Sequence, residues 1–312
     1  MNRHVWSASR DLSVKQWDLS SGSCVQTLSD CHELNIAALD THAGGSQVAT
    51  GSRDYSVKLW DAETAVCLRE LTARRNVVTC LAYAGRLAGS PSVLYQGGED
   101  LCIKVWDTRA ATGAGGGASP SAVMGGFVYF PTSLCVNPSS EHVLVSGCKG
   151  FNGSGAEVKC WDARQPAKPL VEFLGHTHDV TSCAYVHIEG RPVEGFADCV
   201  VSCSKDGSIA VWNLSTKEKV AFSSGLNKHF TSIAVIPVYE AARFGRPGIN
   251  AAFSFAISAY DGSVSFCSVV KSSPQQATGG GGDVRLTYSI ITDYSTANYV
   301  CSVSEDDIIN SS

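Results

Sequence analysis

One pattern recurs six times along the chain and limits what it can fold into more than any other feature. Each copy has a strand of small residues, a tight turn built on Asp, then alternating residues that end in Trp-Asp or a remnant of it. The copies run from Trp6 to Asp18, Val48 to Asp61, Val93 to Asp107, Val143 to Asp162, Val200 to Asn213 and Phe255 to Ser268. The last has Cys267 and Ser268 in place of the signature pair. Trp17, Trp60, Trp106, Trp161, Trp212 and Cys267 follow one another at intervals of 43, 46, 55, 51 and 55 residues. A unit of this size cannot bury its apolar face alone, so the copies must stack, and the longer intervals predict inserted loops.

Between the copies, β-branched residues and period-2 alternation predict outer and inner strands, as at 66–71 then 77–83, and 170–174 then 180–186. The chain is therefore all-β. Gly/Ser-rich stretches at 112–121 and 272–283 read as mobile loops inside one domain, which spans residues 1–304 and leaves a short tail at 305–312. Insertions at 189–198 and 237–250 contain Pro and Gly and read as decorations of the rim.

Composition narrows the function. A net charge of −5 gives no general basic footprint for a phosphate backbone, so nucleic acid is not expected as a partner. No stretch approaches the roughly 20 apolar residues that cross a bilayer, and Met1 leads directly into strand-like sequence, so a cytoplasmic location is expected. The 13 cysteines are odd in number, lack CxxC pairs and lie along strands; they read as small buried hydrophobes, with no metal and no cofactor expected.

The spelling of the copies resembles WD repeats over essentially the whole chain. The resemblance implies a β-propeller in which a His before strand a, a Ser or Thr on strand b, the turn Asp and the strand-c Trp form a hydrogen-bonded tetrad. By position, complete tetrads fall on His32, Thr50, Asp54 and Trp60 and on His176, Ser202, Asp206 and Trp212. Asp11, Asp100 and Asp261 keep the carboxylate alone; Gln96 replaces the hydroxyl in the third copy, and the copy ending in Trp161 has no turn Asp. Six repeats leave two closures open. The strand-like residues 298–303 complete the first blade of a six-bladed ring, or the chain is a shortened seven-bladed propeller, the reading favoured here. Ser7–Asp11, Thr50–Asp54, Arg75–Thr79, Gly150–Gly153 and Trp161–Gln165 are similar to the WD repeat-containing protein 31 family, best over residues 5–213. That likeness implies a scaffold working at a cilium or flagellum.

No convergent set of acids, nucleophiles or metal ligands suggests catalysis, and the chain reads as no enzyme. The Gly-rich run from Lys149 to Gly155 precedes β sequence rather than a helix, so it reads as a lengthened b–c hairpin with Phe151 at its tip, not a phosphate cradle. His178, His187 and His229 read as surface histidines. Candidate protein-binding residues lie beside the turns and in the d–a loops, on the propeller's top face: Arg10, Arg53, Arg74, Arg75, Asn76, Glu99, Phe130, Phe151, Asp179, Lys205, His229 and Tyr260. The partners are other proteins, and the arginines suggest an acidic one. Arg109 and Arg164 sit in WDxR motifs similar to those of receptors that dock on the damaged-DNA-binding-protein adaptor of cullin-4 ubiquitin ligases; the alternative is that each Arg braces its own c–d turn.

Overall fold

The computed structural model describes residues 4–29, 31–42, 44–72, 76–84, 93–109, 119–186, 196, 198–236, 251–271 and 284–291. All regular structure among them is β, in six antiparallel meandering sheets. The first holds β1 (His4–Ala8), β2 (Val14–Asp18) and β3 (Cys24–Leu28); the second β4 (Ile36–Thr41), β5 (Gln47–Ser52), β6 (Ser56–Asp61) and β7 (Cys67–Thr72). The third holds β8 (Val78–Tyr83), β9 (Val93–Gly98), β10 (Cys102–Asp107) and β11 (Ala122–Met124). The fourth holds β12 (Pro131–Asn137), β13 (Ser140–Cys148), β14 (Val158–Asp162) and β15 (Val171–Phe173). The fifth holds β16 (Val180–Val186), β17 (Cys199–Ser204), β18 (Ile209–Asn213) and β19 (Glu218–Ser223). The sixth holds β20 (Phe230–Ile236), β21 (Ala251–Ala259), β22 (Val264–Lys271) and β23 (Val284–Ile291). Each sheet is one blade, and each repeat read from the sequence supplies its strands b and c.

The described residues form two compact units, one within Met1–Lys149 and Lys159–Leu170, the other within Gly150–Val158 and Val171–Val300. In the first unit, apolar side chains fill the spaces between successive blades, and the strand-c Trp lies against the blade before its own. Trp60 packs with Trp6, Val14 and Leu28, Trp106 with Val57, Leu59 and Leu71, and Trp161 with Tyr95, Ile103 and Met124. In the second unit one core joins the fifth and sixth blades through Val201, Ile209, Val211, Phe230, Ile233, Phe253 and Phe255. Burial of this kind is the main stabilising term, at roughly 25 cal/mol per Å² of apolar surface.

Two features recur at the end of each blade that carries the b–c turn. The pairing of strands a and b slips by one residue near the start of β4, β8, β12, β16 and β20. The residue passed over is Ala37, Thr79, Thr132, Thr181 or Thr231, and a bulge of this kind redirects the strand. The Thr79 hydroxyl donates to the Pro131 carbonyl at 2.6 Å and that of Thr181 to Phe230 at 2.9 Å, so each ties its blade to the next. In addition, the amide of the residue before the turn donates to the carbonyl just before strand a: Arg53 to Asn35, Glu99 to Val77, Lys149 to Phe130, Lys205 to Asp179 and Tyr260 to His229. The turn end of each of these five blades is thereby fixed in the backbone itself.

The loop expected to be mobile at 272–283 and the insertion at 237–250 lie outside the described residues, as does most of the loop at 112–121 and of the insertion at 189–198. Residues 298–303, on which the choice of closure turns, lie outside them as well.

Candidate functional site

The b–c turn is an Asx-type turn that the serines on both sides of its Asp complete. Asp11, Asp54, Asp206 and Asp261 each accept from the amide of the serine two residues on, Ser13, Ser56, Ser208 or Ser263, and from its hydroxyl. On the other side, Ser9, Ser52 and Ser204 accept the amide of the Asp itself. These serines lie outside the tetrad that the resemblance implies. Their signal is a D-x-S spelling at 11–13, 54–56, 206–208 and 261–263.

Above the turn of the fifth blade, the direction of every hydrogen bond follows from one donor. The Ser208 hydroxyl donates to Asp206 Oδ1, so its oxygen accepts from His176 Nδ1–H at 2.6 Å. His176 Nε2 then accepts from the Ser202 hydroxyl at 2.7 Å, and Ser202 Oγ accepts Trp212 Nε1–H at 2.8 Å. Asp206 therefore reaches His176 through Ser208. Burial holds His176 neutral, with its pKa lowered to about 4. Burial would raise the Asp206 carboxyl, but hydrogen bonds from Ser208 and Thr177 outweigh it and hold the pKa at about 2.

In the second blade His32 Nδ1 reaches Asp54 Oδ2 directly at 2.9 Å, Nε2 lies 2.7 Å from Thr50 Oγ1, and Trp60 Nε1 donates to Thr50 at 2.9 Å. The third blade uses Gln96, whose Oε1 accepts Trp106 Nε1–H at 2.7 Å, while Asp100 pairs with Lys104. In the fourth blade Phe127 occupies the place of the tetrad His and packs against Trp161, the rings tilted by 36° with centroids 5.1 Å apart. Trp161 Nε1 donates to Ser146, and the buried Lys159 ammonium donates to the Gly126 carbonyl and lies over the Phe127 ring.

The residues expected to meet a partner divide by environment. Arg10, Arg53, Glu99, Lys205, His229 and Tyr260 are exposed at their turns, Tyr260 to 85%. Arg53 lies 3.7 Å from Glu99, and Lys205 pairs with Asp179 at 2.6 Å. Asp179 also accepts the Gly150 amide, so it braces the turn end more than it presents a free carboxylate. His229 Nδ1 donates to the Lys205 carbonyl at 2.6 Å. Phe130 is half-buried under the Lys149 ammonium.

Phe151 stands 59% exposed on its hairpin, edge-on to His178, and the hairpin is held by the Gly153 amide donating to Thr177. Asn76 is a correction: it is only 1% exposed, which withdraws it from any partner. Its amide fills the space over Gly98, where a β-carbon would lie 2.2 Å from it, and its Oδ1 accepts the Asp100 amide in place of the serine that other blades carry there. Arg74, Arg75 and His187 lie outside the described residues.

At the c–d turns, Arg164 bonds the Asp162 carboxylate through its backbone amide, Nε and Nη2, the last at 2.7 Å. Arg109 bonds Asp107 more loosely, Nε to Oδ1 at 3.3 Å. Both side chains are largely exposed beyond these contacts. Among the described residues no group of His, Cys, Asp and Glu could hold a metal ion, and no helix is long and apolar enough to cross a membrane.

The WD40 family, described as "WD domain, G-beta repeat", matches residues 22–61 and 167–213, the two stretches that end in Trp60-Asp61 and Trp212-Asn213. Nuclear distribution protein nudF 1 of Talaromyces marneffei is 24% identical over 47% of this chain and 27% of its own length. Telomerase Cajal body protein 1 of Mesocricetus auratus is 29% identical over 45% of this chain and 22% of its own. The ribosome biogenesis protein WDR12 homolog of Chlamydomonas reinhardtii is 27% identical over 62% of this chain and 33% of its own. The chain thus spans about a fifth to a third of the length of these curated relatives. The solved structure titled "Structure of U3-55K" superposes with a TM-score of 0.64 at 20% identity, covering 85% of this chain and 74% of that one. With the blade sheets, these likenesses define the class: the chain carries WD40 repeats and has the all-β propeller fold.

Proposed function

We propose that the chain is a non-enzymatic scaffold that binds other proteins through the side chains beside its b–c turns. One observation carries this reading. The turn carboxylates that recur most regularly are engaged by their own turns, Asp11, Asp54, Asp206 and Asp261 each bonded to its serine, whereas the residues one place earlier, Arg10, Arg53, Lys205 and Tyr260, stand exposed. Arg and Tyr are the residue types that dominate binding energy at interfaces. A fold shared by many unrelated proteins leaves function to such sites. The relatives named for nuclear distribution and ribosome biogenesis match this chain over only 27% and 33% of their own length, and the likeness to the WD repeat-containing protein 31 family supports a cytoplasmic role at a cilium or flagellum.

The test is affinity capture from native cells with the full chain and with a variant carrying Arg10→Ala, Arg53→Ala, Lys205→Ala and Tyr260→Ala. Proteins retained by the first and lost from the second support the reading, whereas an identical set with both would remove it. A second reading, a receptor docking on the cullin-4 ligase adaptor, draws on the exposed faces of Arg109 and Arg164. It expects adaptor binding that Arg109→Ala with Arg164→Ala abolishes. The tight Arg164–Asp162 pairing favours the bracing role instead.

A further inference from the structure

Each blade ends on an outer strand whose far edge pairs with no other strand among the described residues: β3, β7, β11, β15, β19 and β23. Such an edge offers unpaired backbone N–H and C=O groups to any other strand, and proteins guard it with charge, proline or shortness. β7 carries Arg69 and Glu70, β15 Glu172, β19 Glu218 and Lys219, and β23 Arg285, while β11 is three residues long. β3 lacks these guards. It has five residues, Cys24-Val25-Gln26-Thr27-Leu28, none of them charged, and the whole stretch from Leu19 to Ser29 is uncharged.

The register of the first blade defines what this edge presents. The Ser9 amide donates to the Ser13 carbonyl and the Asp18 amide to that of Ser23. Odd residues along β2 therefore bond towards β1 and even ones towards β3. Gln16 faces Gln26 and Val14 faces Leu28, so Gln26 and Leu28 use their backbone groups on β2, and those of Thr27 between them point outward. A bulge passes over Val25, which leaves Gln26 to Leu28 as the regular part of the edge, with Thr27 at its centre. The Val25 and Thr27 side chains are exposed too, Val25 to 55%.

We infer that β3 pairs with β3 of a second copy of the chain, antiparallel across a two-fold axis at Thr27, so that two first blades join into one sheet. The Thr27 N–H of each copy donates to the Thr27 C=O of the other, and the two Thr27 side chains form a cross-strand pair. No like charges meet on this axis. The nearest charge on the same face is Lys15, beside Thr27 on β2. Three strand spacings separate it from its copy, roughly 14 Å, which exceeds the Debye length at physiological salt. The occupant is a second copy because two-fold pairing sets each strand against itself, which charge forbids elsewhere: an axis at Arg69 or Glu70 of β7 would put that charge against its own copy. One short strand pair falls below the roughly 1,200 Å² of a standard interface, so the dimer is weak and depends on concentration.

Sedimentation velocity of the full chain over a concentration series tests this, and wild type is expected to shift from monomer to dimer as concentration rises. Thr27→Pro removes only the outward N–H and spares the ladder with β2, whereas Thr27→Lys sets two ammonium groups on the axis. Each is expected to weaken self-association at least about tenfold, with a melting temperature close to that of wild type when both are dilute. If Thr27→Pro melts early, Thr27→Lys decides. The Cys24 thiol lies 3.4 Å from the Thr27 hydroxyl, so the register is read in a Cys24→Ser, Cys67→Ser background. There Thr27→Cys is expected to give an intermolecular disulfide on mild oxidation, and Val25→Cys, four residues from its own copy in this register, is not. Wild type that stays monomeric at every concentration, or a dimer that Thr27→Lys leaves intact, would overturn the inference. Cross-linking through Val25→Cys and not Thr27→Cys would overturn the axis at Thr27.

Discussion

The fifth and sixth blades follow one another in the chain and share a core, yet their tetrad positions are closed by opposite chemistry. The fifth is held by His176, Ser202, Ser208, Asp206 and Trp212 in one connected hydrogen-bond chain. The sixth has Leu226, Ile257 and Cys267 at the places of His176, Ser202 and Trp212; Ile257 and Cys267 belong to the apolar core and Leu226 packs against it. Of its tetrad positions the turn alone remains polar among the described residues, with Asp261 bonded to Ser263 and to the Lys228 ammonium at 3.0 Å. A blade can therefore form without its tetrad. The network adds fixed orientation, since each member has one acceptable geometry and an unsatisfied one is costly. The apolar version tolerates change in proportion to the volume lost.

The largest expected contrast is between the two strand-c positions. Trp212→Ala should cost about 3–5 kcal/mol, whereas Cys267→Ala should cost about 1 kcal/mol, both read from urea midpoints. A comparable loss in the two would show that the aromatic ring is not the distinguishing element.

The second contrast is in pH dependence. His176 has its pKa lowered to about 4 from the ordinary 6.5 by burial, so its contribution is fully present above 6.5 and is lost as the pH falls towards 4. A shift of that size corresponds to about 3 kcal/mol. Asp206, held at about 2, adds a further loss below the usual carboxylate pKa near about 4. His176→Gln should flatten the limb between pH 6.5 and 4, whereas Leu226→Ala should lower stability without changing that slope. Equal slopes in wild type and His176→Gln would assign the dependence elsewhere.

Ser202→Ala comes next, because it leaves His176 Nε2 and the Trp212 indole N–H without their shared hydroxyl: a loss of about 1–3 kcal/mol, against about 0.5–1.5 kcal/mol for Ile257→Val. The smallest contrast lies at the turns. Gly207→Ala should destabilise by about 1–2 kcal/mol, because its φ is 76° and a β-carbon there would sit 2.9 Å from the Lys228 carbonyl, while Leu101→Gly should stabilise by about 1 kcal/mol. Thermal midpoints read both, and a loss in each would place Leu101 in a structural role.

The contrast between blades five and six was legible in the sequence, because the Trp, the turn Asp and the Ser or Thr lie at constant spacing along strands b and c. The two His residues at the entry to strand a could be placed the same way. What stayed hidden depends on contacts across the fold or on backbone angles. Asn76 reads as an exposed loop residue, and only the missing side chain of Gly98 opposite creates the space that buries it. Leu12, Tyr55 and Leu101 read as ordinary hydrophobes, since nothing in their identity announces a positive φ. The D-x-S turns and the bulged threonines were spelled out in the chain, and their regularity across blades was the signal that went unread.

The most direct test of the account uses two variants and two readouts. Asp206→Asn alters a turn, and Lys205→Ala with Tyr260→Ala alters what the turns present. Melting temperature and the set of proteins captured from native cells are measured for both. The account expects Asp206→Asn to melt earlier yet keep its partners at a temperature where it is folded, and Lys205→Ala with Tyr260→Ala to melt with wild type yet lose partners. Loss of partners with the turn variant alone, while the tip variant binds as wild type does, would contradict it.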